Sequence, residues 1–449
     1  MVKLWQKNWQ LDRFIESFET KDDLVLDQKL AIFDVYGSLA HIKMLAKIGI
    51  LSSGELKEAT KGLLKIIELI REDKFQLQPG DEDIHTKVEN FITEHNGEVG
   101  KKIHTGRSRN DQVLTDIQLF AKEKLTEILN EIIETSESFH SFARKNEFVA
   151  MPGYTHSQKA MPSSVGMWAS SFAESFMDDL DLVRGAFEVN DKCTLGSAAA
   201  YGVPLNLDRD CTARLLGFKS VLNNSLYCQN SRGKNQAAII GALISVLSTI
   251  NKFATDVLLF TSPEFDYFTV SEEICSGSSI MPQKKNVDIA ELLRSKLPIL
   301  LGYYVQMVGV SGNLMSGYNR DLQDTKKSLI ESLEIALDSL KVAKILINNL
   351  KANKEKLKKS LTPEIFSTHF ALDLVAEGKP FREAYKLAAG GIPRYPSNIE
   401  KVLKKSTHKG GTGNLCLAEL GKKIKKEKKK ASQISKLYKS AIRNLLKGF

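Results

Sequence analysis

Residues 234–260, KNQAAIIGALISVLSTINKFATDVLLF, form the stretch that decides the fold. Apolar side chains occur almost all round a helix built from this segment, so that helix must be buried on every side. Its most apolar part, residues 237–250, is too short to cross a bilayer and carries Ser245 and Ser248. The segment therefore predicts the central helix of a packed bundle, covered partly by other copies of the chain.

Four more segments show the same helical periodicity, and strand-like alternation is hard to find. At 1.5 Å per residue, helices of roughly 25 to 30 residues are about 40 Å long, so they can pack only lengthwise. We expect Pro162 in the first turn of the second helix and a kink at Pro298 in the fourth. The sequence thus predicts an all-α fold. The four segments are 113–142, 162–189, the residues that follow Asn286, and 322–350.

The composition is that of a globular protein, with 449 residues, 42% hydrophobic and 26% charged. The net charge of +9 belongs to the tail, because residues 401–449 hold fifteen Lys and Arg against two Glu. The lysine run at 422–430 has no interleaved aromatic side chains that would stack on bases. We expect a solvated, weakly ordered helix or loop there, and neither a nucleic-acid nor a membrane partner.

Cysteine usage and the N-terminus indicate the compartment. The five cysteines are widely spaced and include no CxxC pair, so neither a disulfide framework nor a zinc site is implied. Residues 1–8 lack the apolar core of a signal peptide. A reducing, cytoplasmic location is therefore expected.

The decapeptide GSSIMPQKKN at 277–286 has the composition of an anion-binding loop. Ser278 offers a hydroxyl and Lys284 a positive charge. Asn286 is expected to cap the fourth helix, with Glu291 in its first turn, so that exposed backbone N–H groups also favour an anion. The plainer alternative is a solvated Gly-Ser connection.

Three further polar clusters interrupt the helices at their ends. They combine hydroxyl, imidazole, guanidinium, ammonium and amide groups, without a nucleotide-binding glycine loop or an HExxH metal motif. This combination favours cofactor-free acid–base chemistry on an anionic substrate. The clusters are HTGRSRNDQ at 104–112, MPGYTHSQ at 151–158 and GYNRDLQDTK at 317–326.

Each cluster also has a plain structural interpretation. Asn110 or Asp111 could simply cap the following helix, although capping leaves the two neighbouring arginines unexplained. His156 stands beyond an expected Pro-Gly turn, and a single histidine is more often a packing residue than a catalyst. In the third cluster Gln323 and Lys326 are expected on one helix face, which could be merely a charged helix start.

Taken together, these residues resemble the fumarase/aspartase superfamily. Residues 277–286 match its signature GSSxMPxKxN at every fixed position, and residues 104–112 are similar to the segment that distinguishes argininosuccinate lyases. The similarity runs from about Leu4 to Asn414 and leaves only the lysine-rich end unexplained. Other segments similar to that family are 80–86, 153–156, 318–323 and 380–384.

The resemblance implies an architecture of three mostly helical domains around a long central bundle, with boundaries at 1–108, 109–357 and 358–449. It also implies a homotetramer with a twenty-helix core, in which each active site combines segments from three subunits. Such a core would account for the apolar helix at 234–260.

The implied reaction is a reversible β-elimination that splits argininosuccinate into arginine and fumarate through an aci-carboxylate carbanion, without a metal or cofactor, in arginine biosynthesis or the urea cycle. Ser278 and His156 would form the acid–base pair. Which of them takes the first proton is open, with Ser278 favoured as the base and His156 as the acid. Glu291 would be the carboxylate partner of the histidine, and Lys284 would stabilise the developing charge.

The remaining site residues implied by the resemblance would hold the carboxylates and the arginine end of a small-molecule substrate. They are Ser108, Arg109, Asn110, Thr155, Asn286, Tyr318, Gln323, Lys326, Asp27, Asp83 and His85.

This chain departs from the family pattern at a few positions. Asp23 stands where many members have serine, which puts that substrate contact in doubt, while Asp27 of the same motif is retained. Met315 replaces a usual proline and Tyr385 a frequent histidine. The alternatives are another superfamily lyase, of the adenylosuccinate lyase or fumarase type, and a catalytically inactive, crystallin-like relative.

Overall fold

The computed structural model describes residues 12–78, 80–391 and 395–447. Fifteen α-helices make up most of this part of the chain. They are α1 (Arg13–Lys47), α2 (Ser53–Arg71), α3 (Ile84–Asn96), α4 (Arg109–Lys145), α5 (Val165–Asn190), α6 (Arg209–Leu215), α7 (Ser225–Asn230), α8 (Lys234–Phe260), α9 (Asp288–Ser311), α10 (Thr325–Asn348), α11 (Lys354–Ser360), α12 (Ser367–Ala376), α13 (Phe381–Ala389), α14 (Ile399–Leu403) and α15 (Leu417–Leu446).

Short strands pair two by two at the helix ends. β1 pairs with β2, β5 with β8 and β6 with β7 in antiparallel fashion, whereas β3 and β4 are parallel. The strands are β1 (Ala150–Thr155), β2 (Gln158–Ser164), β3 (Lys192–Cys193), β4 (Ser220–Val221), β5 (Phe268–Val270), β6 (Ser276–Gly277), β7 (Lys285–Asn286) and β8 (Leu350–Ala352). Four 3-10 turns occupy Gly97–Lys102, Glu272–Ile274, Arg320–Asp324 and Pro363–Phe366.

Helices α4, α5, α8, α9 and α10 pack lengthwise, which confirms the predicted bundle and the mostly helical fold class. Helix α1, with 35 residues, is a further long helix that was not predicted. Helix α8 contacts α5, α9 and α10 and has the predicted bounds. Among the described residues, Ser225–Phe260 is a helical stretch that is long and apolar enough to cross a membrane by length and composition alone. The mean hydropathy of its most apolar 18-residue window is 1.6. Its side chains Ile240, Leu243, Leu247 and Phe253 are fully buried in the core, as a central bundle helix requires.

Helix α4 begins at Arg109, four residues before the predicted start, and Ser108 is its N-cap. Its Oγ accepts a hydrogen bond from the Asn110 N–H at 3.2 Å, and Asp111 Oδ1 accepts one from the Ser108 N–H at 2.8 Å. The reciprocal pair is a capping box, so neither Asn110 nor Asp111 is itself the N-cap. The second carboxylate oxygen of Asp111 accepts the N–H groups of Gly196 and Ala198, both at 2.9 Å, and ties α4 to that loop.

Helix α5 begins at Val165, and the prediction that Pro162 lies in its first turn is wrong. Pro162 lies in β2, opposite Pro152 of β1, and the Ser164 Oγ caps α5 by accepting the Met167 N–H at 3.0 Å. Proline is depleted in strands, so the two prolines argued against a strand prediction for this hairpin. A two-stranded hairpin tolerates both prolines because each of its strands is an edge.

The tip of this hairpin is formed by His156 and Ser157, whose φ angles are 51° and 59°. Two successive left-handed residues make the tight turn that suits the twist of paired strands. The predicted Pro-Gly turn is therefore wrong, because Pro152 and Gly153 lie within β1, where the register is interrupted.

Asn286 does not cap the fourth long helix, contrary to the prediction. It lies in β7 opposite Ser276, and Val287 precedes α9 without a side-chain cap. The β6–β7 pairing keeps the chain extended beyond the expected helix start. Asp288 and Glu291 do lie in the first turn of α9, and Pro298 lies inside the helix, as predicted.

The fifth long helix, α10, starts at Thr325 rather than at Leu322, because a 3-10 turn over Arg320–Asp324 precedes it. Gln323 therefore belongs to the turn and Lys326 to the helix, so the prediction that both lie on one α-helix face is wrong. The 3-10 turn nevertheless directs both side chains into the same pocket.

The lysine-rich tail is an ordered helix, so the expectation of a weakly ordered segment is wrong. Buried side chains recur along α15 at spacings of three, four and seven, the pattern of an amphipathic helix that the lysine run conceals. α15 packs on α4, where the Tyr438 ring lies 5.6 Å from the ammonium of buried Lys122, itself paired with Asp191. The buried residues of α15 are Leu417, Leu420, Ile424, Glu427, Ala431, Tyr438 and Leu445.

Some of the predictions fall wholly or partly outside the described residues. They concern residues 1–8 and the part of the family resemblance that begins at about Leu4. The domain boundaries at 108 and 357 stay predictions.

We predict that Ser108→Ala lowers the free energy of unfolding by about 1 kcal/mol, because the N-terminus of α4 loses its side-chain acceptor. Ser108→Asp should keep most of the stability. Urea titrations at neutral pH measure both variants, with Ser171→Ala on the exposed face of α5 as the control. Equal stability of Ser108→Ala and the wild type would show that the cap contributes little.

Candidate active site

A polar pocket of about 170 Å³ lies where the N-terminal half of α1 meets the starts of α3 and α4 and the 318–326 segment. Eight of the predicted site residues line it, which brings together segments more than 200 positions apart in sequence. The lining residues are Glu19, Thr20, Asp23, Asp27, Glu82, Asp83, His85, Arg109, Asn110, Val113, Arg232, Tyr318, Arg320, Gln323 and Lys326.

Lys326 is a buried cation of this pocket. Its ammonium contacts the carboxylates of Asp23 and Asp27, the latter at 2.7 Å, and only 2% of its side chain is exposed. Burial disfavours the charged ammonium, but Asp27 and Asp23 raise the pKa of Lys326 above its usual value. Burial, reinforced by Asp27 and opposed by Lys326, raises the pKa of Asp23 to about 6.

Arg109 holds a second set of ion pairs across the pocket. Its guanidinium contacts Glu82 and lies 2.8 Å from Asp83, which also caps α3 by accepting the Thr86 N–H at 2.7 Å. Burial would raise the pKa of Asp83, but the positive charges of His85 and Arg109 hold it below its usual value. The Arg109 side chain is thus fixed in place by carboxylates of the same chain.

His85 lies beneath the pocket between two buried carboxylates. Its Nδ1 is 2.5 Å from Asp34 and 3.8 Å from Asp116. Burial disfavours the imidazolium, yet Asp34 outweighs it and raises the pKa of His85 to about 10. Asp and His side chains can bind metals, and the ligand atoms of Asp34, His85 and Asp116 lie within 4.8 Å of one another. A protonated Nδ1 has no lone pair to offer a cation, so the observed arrangement is an ion network.

Ser278 lies in the loop that β6 and β7 close at its base. Its Oγ accepts the Met281 N–H at 3.1 Å and the Ile280 N–H at 3.4 Å. Ser276 donates a hydrogen bond to Asp288, which attaches the loop to the first turn of α9. Lys284 is exposed to solvent.

The other predicted catalytic residues are also accessible from solvent. His156 and Thr155 lie exposed at the tip of the hairpin, and Glu291 is exposed on α9. None of the residues that line the pocket comes from the hairpin or from the 276–291 segment. One chain therefore brings together the binding residues around Lys326, while Ser108, Thr155, His156, Ser278, Lys284, Asn286 and Glu291 lie outside that pocket.

Helix α9 also carries an exposed apolar stripe. Leu301, Tyr304, Val305 and Val308 follow the spacing of one helix face, and 71% of Val305 is exposed. A contiguous exposed apolar stripe of this kind is typical of surfaces that contact other proteins.

Sequence reasoning missed several residues of this region. Arg232 lines the pocket, and Asp34 and Asp116 flank His85, but each lies in a helical or turn segment without a recognisable motif. Asp116 lies next to the apolar stripe of α4, and this position was a signal in the sequence. A charged side chain that is buried in a core requires a polar partner.

A family model described as Lyase matches residues 9–302. The argininosuccinate lyase of Thermotoga neapolitana is 39% identical over 387 residues, which cover 86% of this chain and 97% of that protein. The argininosuccinate lyase of Phocaeicola vulgatus is 40% identical over 414 residues, 92% of this chain and 93% of that protein. A crystal structure of EDDS lyase in complex with formate has the same fold, with a TM-score of 0.81 at 21% identity over 98% of this chain and 95% of that one.

We predict that His85→Gln makes the protein less stable at pH 7 and flattens the dependence of stability on pH. The folded-state pKa of His85, about 10, lies above the unfolded value of about 6.5, so its contribution is complete below pH 6.5 and is lost as the pH rises toward 10. Urea midpoints at pH 6, 8 and 10 measure the effect. The exposed His408→Gln serves as the control, and parallel curves for His85→Gln and wild type would contradict the ion network.

Proposed function

This chain belongs to the argininosuccinate lyase family of the fumarase/aspartase superfamily, and we propose that it splits argininosuccinate into arginine and fumarate by a reversible β-elimination. The observation that carries the proposal is the pocket around Lys326, which presents charges of both signs to a substrate that carries carboxylates, an ammonium and a guanidinium. We assign the pocket to the arginine end of the substrate. The cytoplasm, arginine biosynthesis and a cofactor-free reaction complete the proposal.

The first chemical step removes a proton from the carbon next to a carboxylate, and the negative charge spreads into that carboxylate. We assign this step to Ser278. The two backbone N–H groups that donate to its Oγ favour a deprotonated hydroxyl, because they stabilise the charge that develops there. Lys284 and the N-terminus of α9 supply positive charge to the aci-carboxylate.

In the second step the C–N bond breaks and its electron pair goes to the guanidino nitrogen, which receives a proton. We assign that proton to His156, with Glu291 as the carboxylate that raises its basicity. The reverse assignment, with His156 as the first base, uses the same two residues.

We propose that a homotetramer completes the site. The pocket around Lys326 is not lined by the hairpin that carries His156 or by the loop that carries Ser278, and α9 has an exposed apolar stripe. Association through that stripe would bring the loop and hairpin of neighbouring subunits to the pocket. Each of the α8 and α9 helices would then reach the burial that its composition demands.

The reaction is tested by the ultraviolet absorbance of fumarate. We expect fumarate from argininosuccinate, and none above background from adenylosuccinate, aspartate or malate. Turnover of one of those three instead would favour an adenylosuccinate lyase or a fumarase type. A purified tetramer without any turnover would identify a structural relative of the crystallin kind.

We predict that Ser278→Ala and His156→Ala each lower kcat by at least ~10²-fold, the lower end for acid–base groups. Ser171→Ala and His408→Ala are the matched controls, because each removes the same functional group from an exposed position outside the site. Steady-state kinetics with argininosuccinate give the values. Near-normal kcat in either catalytic variant would remove that residue from the mechanism.

We further predict that mixing the inactive His156→Ala and Ser278→Ala proteins, after dissociation and reassembly, restores part of the activity. Some mixed sites would then receive both intact residues from different subunits. Native mass spectrometry confirms that mixed tetramers form. If they form and stay inactive, the two residues act from the same subunit.

A further inference from the structure

We propose that Asp23 and Lys326 form an internal charge pair that the zwitterionic amino-acid end of the substrate replaces, with Asp23 binding the α-ammonium and Lys326 the α-carboxylate. Asp23 would then be a specificity-determining residue that restricts the pocket to ligands with a free α-amino group. The inference rests on the proposed function and names which end of the substrate the pocket holds.

The two aspartates on α1 are not equivalent. Asp23 and Asp27 lie four residues apart on one helix face, and both contact the Lys326 ammonium. Asp27 is 2% exposed, whereas 18% of the Asp23 side chain is exposed and lines the pocket. Asp27 alone neutralises Lys326, so Asp23 is the carboxylate that an entering cation can take over.

Other carboxylates of the pocket are already paired with arginines, so they compete little with Asp23 for the α-ammonium of the ligand. Glu82 and Asp83 are engaged by Arg109, and Glu19 lies 3.2 Å from Arg320. Each of these three carboxylates therefore already faces a guanidinium of the same chain.

Arg232 adds positive charge near the proposed position of the ligand's α-carboxylate. It is 3% exposed, its guanidinium lies 5.9 Å from the centre of the Tyr318 ring, and its Nε and Nη1 have no hydrogen-bond partner among the described residues. A buried cation whose donors are incompletely paired raises the local positive potential. A ligand carboxylate at Lys326 would benefit from this charge.

The exchange is electroneutral, which makes it physically accessible in a buried site. The ligand brings one positive and one negative charge, and the Asp23–Lys326 pair separates to receive them, so no net charge is buried. The free pocket is thus held in a self-paired state until an amino-acid zwitterion enters.

Position 23 is also where the family resemblance leads one to expect serine. A serine hydroxyl can accept a hydrogen bond from an ammonium but supplies no charge, whereas a carboxylate forms a charge-assisted bond. With a pKa of about 6, Asp23 is mostly ionised at neutral pH. This chain should therefore discriminate against ligands without the α-amino group more strongly than a chain with serine.

Calorimetry on the intact protein at pH 7.5 tests the inference without requiring turnover. The probes are L-arginine and 5-guanidinopentanoate, which lacks only the α-amino group. We expect the wild type to bind arginine at least ~10-fold more tightly, as a lost charge-assisted hydrogen bond implies. In Asp23→Asn and Asp23→Ser the preference should fall to within ~3-fold, mainly through weaker binding of arginine.

Asp324→Asn is the matched control, because it removes an exposed carboxylate close in sequence to Lys326 but outside the pocket. Equal binding of the two probes to the wild type would overturn the proposal without any variant. An unchanged preference for arginine in both Asp23 variants would also overturn it. An equal loss of affinity for both probes would overturn it as well, because it would indicate a purely structural role of Asp23. Preference for arginine in a protein without lyase turnover would overturn the proposed function and leave this inference standing.

Discussion

A helix that is apolar nearly all round can exist in water only when other protein surfaces cover each of its faces, and α8 imposes this requirement on the whole molecule. Helices α5, α9 and α10 contact it, and 14 of its 27 residues are buried within the chain. The apolar stripe on the neighbouring α9 stays exposed. The bundle in turn fixes where the polar segments lie, because most of the pocket residues stand at or near helix ends, the Ser278 loop precedes α9 and the hairpin that carries His156 precedes α5. The same constraint thus governs both the packing of the core and the location of the site.

Buried ions determine how rigid the pocket is. Lys326 with Asp27, Arg109 with Asp83, and the imidazolium of His85 hold their partners in fixed positions before any ligand enters. Such pairs contribute little net stability, because desolvation offsets their attraction. Their value lies in preorganisation: a binding site whose charges are already oriented loses less free energy when the ligand arrives.

The sequence was sufficient for the five helices of the bundle, because apolar periodicity over 25 residues is a strong signal, and for eight pocket residues, because they lie in family-like motifs. It did not predict α1, and the lysine run concealed the order of α15. It was insufficient at the hairpin, where two prolines face each other, and at Asn286, which the β6–β7 pairing holds in a strand. The sequence analysis did not predict Arg232, Asp34 and Asp116 as site residues, because the side chains they contact lie far away in sequence. Local patterns describe the faces of helices, whereas three-dimensional pairing of charges depends on contacts that no local pattern contains.

The packing of α15 on α4 has a consequence for how the chain is made. The last thirty residues of the described chain cover a helix that begins at Arg109 and shield the Lys122–Asp191 pair through Tyr438. During synthesis α4 leaves the ribosome long before α15, so one apolar side of α4 stays uncovered until α15 has been made. A nascent chain therefore exposes this side to aggregation during that interval, and a chain that is cut before α15 leaves it open permanently.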